Sequence, residues 1–197
     1  MPVHNAHKKN FLIPALICFF AVFFLCRVAK GDPAVAVHWQ VLETRHAVVR
    51  YQSMEDLRKF DKKIKYRVGN SGFKGLFSSS GSNELAHAVS RKVDALFERA
   101  QQILDMRKKM KKVNINIYPD KKQLREAFER IYRKPCHIRA WYEYSYHTIF
   151  ICVDDVHEGM LAHEMAHGII DHYLKVRPPS ATAEILARYV DSHLKRK

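Results

Sequence analysis

Apolar and polar positions along this chain change period several times, and each change marks an element. From His38 to Thr44 and from His46 to Gln52 the pattern is strand-like, and the close spacing predicts a hairpin. Leu85, Val89, Leu96, Ala100 and Ile103 fall on one face of a long helix. Val113, Ile115 and Ile117 alternate with polar residues, the period of a half-buried strand. Asp120 with Gln123 reads as a capping box, and Leu124, Phe128 and Ile131 give the face of the helix it opens. The run Thr148 to Val153 is apolar and β-rich, and 137–143 with 147–153 can form a second hairpin. Asp155 with Glu158 suggests another capping box, followed by Val156, Met160, Leu161, Met165 and Ile169 at helical spacing. Pro178 and Pro179 stop that helix, Ser180 or Thr182 can cap the next, and Ala183 to Asp191 continues it. Gly69 to Gly81 holds four of the seven glycines and reads as a mobile loop.

This order implies an α+β domain spanning 32–197: a small twisted mixed sheet, a long helix packed on it, and a helix pair closing the core. The 148–153 strand is expected to border a cleft, where an extended peptide could add by main-chain hydrogen bonds. The stretch Arg58 to Lys65 is strongly basic, and Arg107 to Lys112 is expected to end the long helix, where cations meet the dipole favourably. His87, on the long helix, is expected to pack or face water.

The segment His163-Glu164-Met165-Ala166-His167 carries the chemistry. Two imidazoles four residues apart share one helix face, one turn apart, and can grip a single zinc ion. Glu164 between them can take a proton from a metal-activated water, the general-base arrangement of a metallopeptidase. Asp171 shares the face but lies about 12 Å along the axis from His163, too far for a common ion. The longer pattern with Gly and a third His fails, because Ile170 and Tyr173 occupy those positions. A third ligand is therefore expected from the following helix. If that helix folds back antiparallel, Glu184 in its first turn reaches the depth of His167. Asp191, two turns on, is a candidate acceptor for a ligand histidine. Tyr142, Tyr144, Tyr146, His147 and Tyr189 are candidates, by position alone, for a second oxyanion donor.

The N-terminus reads as an export signal. Lys8 and Lys9 precede the uncharged apolar run Phe11 to Cys26, and Ala29-Lys30-Gly31 offers small residues for cleavage. Residues 1–31 are therefore expected to be a secretory signal peptide, with an uncleaved N-terminal anchor, tethered through 11–26, as the alternative. The expected location is periplasmic or secreted, with inner-membrane anchoring as the variant. Cys136 and Cys152 remain after the signal. They would face each other near the open end of the second hairpin, as a cross-strand disulfide or as two buried thiols.

Net charge is +14, and +10 once residues 1–31 are set aside. The cations are spread along the chain, which favours a solvated surface over a nucleic-acid patch. No nucleic-acid partner is expected of an exported chain. The expected partner is a peptide or protein substrate, and the chain is expected to be a monomer.

The sequence resembles the gluzincins, in which H-E-x-x-H is followed by a glutamate ligand on a neighbouring helix, and in particular the small bacterial peptidase-MA-like domains. HEMAH and AEILARYV carry the resemblance most directly. HWQVLETRHAVVRYQS resembles their opening hairpin, KVNINIYPDKKQLREAF their central strand and helix, and AWYEYSYHTIFICVDD the hairpin at the cleft. Many such domains have Gly after the ligand glutamate, where this chain has Ile185. The resemblance implies a zincin-like fold and a zinc metallopeptidase with His163, His167 and Glu184 as ligands and Glu164 as general base. The competing expectation is an exported, non-catalytic zinc-binding or envelope-binding module of the same fold.

Overall fold

Apolar residues on two faces of a five-stranded sheet set the architecture. The computed structural model describes residues 38–66 and 81–194. The expected signal at 1–31 and most of the glycine-rich stretch 69–81 lie outside the described residues. The described residues fall in one compact unit. Strands β1 (Gln40–Glu43) and β2 (Ala47–Tyr51) form the antiparallel hairpin. Helices α1 (Met54–Lys63) and α2 (Gly81–Leu104) precede β3 (Val113–Tyr118). Then follow α3 (Lys121–Tyr132), β4 (Ala140–Glu143), a single 3-10 turn (Tyr144–Tyr146) and β5 (Thr148–Cys152). Helices α4 (Glu158–Tyr173) and α5 (Ser180–His193) complete the described chain.

The strand order is β1-β2-β3-β5-β4, with β2, β3 and β5 parallel and the outer two strands antiparallel to their neighbours. The fold class is therefore α+β with a mixed sheet, as the element order implied. Strand β5 does not border a cleft. It lies between β3 and β4, and all five of its residues are buried, the signature of an interior strand. The edge is β4, a short and only partly buried strand.

Alternation along β5 divides two cores. Ile149 and Ile151 point into the main core, shared with α1, α2, α4 and α5, while Phe150 and Cys152 point to the opposite face, where α3 contributes Leu124 and Phe128. Trp141 of β4 stacks on its register partner Phe150, ring centroids 4.6 Å apart, and meets Phe128 edge-on at 5.2 Å. The edge strand is thus pinned from one face, which leaves its outer rim open.

The structure refines several local readings. Arg58 to Lys65 belongs largely to α1, whose core face is Leu57, Phe60 and, just beyond, Ile64; Ser53 caps it by accepting from the Asp56 amide. Arg107 to Lys112 lies beyond α2, not in it. Asp105 adopts a left-handed conformation (φ 53°), and the Gln101 side chain donates to the Lys108 carbonyl, turning the chain away. The cap of α4 is His157, whose Nδ1 accepts from the Met160 amide at 3.2 Å. Asp155 is instead held by Lys121 and Arg139. Cys136 and Cys152 are free thiols, so the disulfide alternative is not realised. Cys152 is buried under α3, and burial raises its thiol pKa.

Candidate metal centre

Helix α4 is laid on the sheet by Leu161, Ala162, Met165, Ala166 and Ile169, all buried. The small residues among them let the helix approach closely. Its opposite stripe carries His163, Glu164 and His167 toward a cleft of about 680 Å³. The cleft is walled by β4 on one side and by the start of α5 on the other, with Tyr142, Asp171, Arg177 and Glu184 in its lining. Helix α5 packs back along α4 through Ala187 and Val190. Gly159 permits the tightest point: a Cβ there would stand 2.1 Å from Asp191 Oδ1. Glu184 lies in the second turn of α5, one residue deeper than expected, because the helix starts at Ser180 with no side-chain cap.

The two histidine Nε2 atoms are 3.2 Å apart, and Glu184 Oε2 is 3.6 Å from that of His163 and 3.5 Å from that of His167. Tetrahedral zinc with nitrogen and oxygen bonds separates its ligands by about 3.3–3.6 Å. The donor triangle therefore has the dimensions of one face of such a site, and these three residues are the described group able to hold a metal ion. Arg188 Nε donates to the other Glu184 oxygen, Oε1, at 2.9 Å.

Charge at the site follows from burial. Glu164 is only 7 % exposed, and desolvation pushes its carboxyl pKa up to about 7. The Tyr142 backbone amide acts in the opposite direction, and the Glu184 carboxylate adds to the rise. Burial and the neighbouring His163 lower the His167 pKa, against a smaller pull from Glu184. Burial alone would raise Glu184, but the Arg188 hydrogen bond and the two histidines outweigh it and hold the pKa down.

The remaining candidates separate clearly. Tyr142 lines the cleft, and its hydroxyl lies 3.0 Å from both Asp171 Oδ2 and His147 Nδ1. Burial and the Asp171 carboxylate hold that hydroxyl well above the ordinary tyrosine pKa. Tyr144 carries the Arg177 guanidinium over its ring at 4.3 Å. Tyr146 is exposed, and Tyr189 stacks on His193. Asp191 sits over Gly159 rather than on a ligand histidine, and among the described residues it makes no hydrogen bond to either. His87 faces solvent.

Two residues were missed from the sequence. Arg188 was legible as the i+4 partner of Glu184. Asp171, too far along the helix to share an ion with His163, anchors Tyr142; its other oxygen, Oδ1, is buried without a hydrogen-bond partner. Compared with known proteins, the chain matches no family model, no curated protein and no solved structure.

Proposed function

We propose that this protein is a zinc-dependent peptidase of gluzincin type, with a zincin-like fold, exported by its N-terminal segment. The observation that carries the reading is the donor triangle of His163, His167 and Glu184, with the buried Glu164 beside it in an open cleft. Zinc, when bound, supplies polarisation of a carbonyl and acidification of water. Glu164 accepts a proton from the attacking water and delivers it to the departing amine. Its buried position beside the donor triangle places the carboxyl for both transfers.

The edge strand positions the substrate. The Tyr142 amide turns toward Glu164 rather than β5. With that amide taken by Glu164, the outward main-chain groups of β4 left for a substrate are the Tyr142 carbonyl and, two residues earlier, those of Ala140. An extended peptide adds to this rim by β-augmentation, with its carbonyl over the donor triangle.

The test is metal analysis beside activity. Wild type should bind one equivalent of zinc and cleave an unstructured peptide. His163→Ala and Glu184→Ala should lose zinc and turnover together, while Glu164→Gln keeps zinc and loses turnover. Full activity in Glu164→Gln would refute the assignment of the base. Zinc binding with no cleavage of any peptide would leave the non-catalytic module.

A further inference from the structure

Past the start of the edge strand the cleft has a neighbour. Ile138 lines it and also lines an adjoining depression of about 290 Å³, whose walls include Lys121, Arg125, His137, Arg139 and Asp155. Three permanent cations there face one carboxylate. Asp155, whose side chain is mostly buried, lies 3.1 Å from Lys121 Nζ and 3.7 Å from Arg139 Nε. It fixes those two cations in place and neutralises part of their charge. Arg125 has no ion-pair partner among the described residues. The depression is therefore a cationic hollow that shares Ile138 with the cleft.

Its location follows from the direction of β4. His137, Ile138 and Arg139 immediately precede Ala140, where the strand begins. A peptide paired along Tyr142 and Ala140 advances about 3.3 Å per residue. Two to four residues past the one opposite Tyr142, its side chains stand over the stretch from Ala140 to Ile138 and the cationic walls. Antiparallel pairing is the stabler arrangement. Since β4 runs from Ala140 toward Tyr142, an antiparallel peptide sends its C-terminal part into the depression.

We infer that this depression is a substrate subsite for an acidic side chain, two to four residues C-terminal to the bond presented to the donor triangle. The inference rests on the peptidase reading and names its substrate class: peptides with Asp or Glu following the cleaved bond. Arg125 is the specificity-determining residue, offering charge-assisted hydrogen bonds to the incoming carboxylate. Arg139 and Lys121, held by Asp155, supply the surrounding positive potential.

The test uses peptides identical except for Glu, Gln or Lys at the second, third and fourth positions after the central bond. Binding is measured by fluorescence anisotropy to zinc-loaded, full-length Glu164→Gln protein, and cleavage is measured with wild type. At one of those positions the Glu peptide should bind roughly tenfold more tightly than the Lys peptide at low salt. The contrast should shrink at high salt. Adding Arg125→Glu should reverse the preference toward Lys, and Arg125→Lys should keep it, with unchanged thermal melting reporting an intact fold. Equal binding of the Glu and Lys peptides, or a Glu preference that survives Arg125→Glu, overturns the subsite while leaving cleavage of the Gln peptide to stand. A protein that discriminates Glu from Lys but cuts neither keeps the subsite and loses the peptidase reading.

Discussion

Arg188 and Glu184 are joined one helical turn apart, the guanidinium Nε donating to Oε1 at 2.9 Å, which leaves Oε2 turned to the histidine pair. As a surface ion pair this contact contributes little to folding, because the Arg188 side chain is 75 % exposed. Its effect is on the orientation of the carboxylate. Arg188→Ala is expected to weaken zinc binding by about 10–100-fold, the range for partners that orient a ligand. Arg188→Lys should recover part of the loss. Competition against a chromophoric chelator measures both, and unchanged affinity in the Ala variant would sink the orienting role.

Glu164 makes the metal-free protein sensitive to pH. Its carboxyl pKa is about 7 in the folded protein against an ordinary 4.5. Between those values the folded state binds more protons than the unfolded chain, so stability falls as pH rises through that window. Glu164→Gln removes this slope. The variant should gain on wild type by up to about 3 kcal/mol from pH 4.5 to pH 8 in the presence of chelator. Urea titrations across that range test it, and a difference that does not vary with pH would show that Glu164 is not desolvated.

The Tyr142 hydroxyl is the hydrogen-bond donor to Asp171, whose side chain is 6 % exposed. Tyr142→Phe removes that bond and leaves a buried carboxylate short of partners. A loss of about 1–3 kcal/mol is expected. Asp171→Asn combined with Tyr142→Phe should cost less than the two singles added, because the pair shares one contact. Chemical denaturation of the four proteins of the cycle decides it.

Zinc should raise the melting temperature. An ion bound only by the folded state adds about 4 kcal/mol when free metal exceeds the dissociation constant a thousandfold. The shift should vanish in His163→Ala and in Glu184→Ala, whereas Glu164→Gln should keep it. Differential scanning fluorimetry with and without chelator reads all three.

Much of this fold was legible because its signals are local. The alternation in β3, the stripe of α2 and the Asp120 cap of α3 depend on neighbours a few residues away, and each element formed where its pattern lay. The proximity of His163 and His167 was legible for the same reason, since helix geometry alone aligns them. Helix α1 was overlooked although Ser53, Leu57, Phe60 and Ile64 mark it, because the lysines and arginines between them masked the apolar spacing. Other features were set by distant partners. The edge position of β4 depends on β5 pairing with β3. The cap at His157 prevailed because Asp155 is engaged by Lys121 and Arg139 from other segments. Glu184 could be assigned from loop length and helix depth, but the approach of its helix required Gly159, whose role emerges only when Asp191 is seen above it.

That glycine makes the final helix a latch. Because α5 seats against α4 at Gly159 and also carries Glu184, a cation held by the proposed donor triangle would form a single equilibrium with the docked helix. Stripping the cation should loosen residues 180–194 before the sheet, so amide exchange in that segment would act as the protein's own gauge of metal loading.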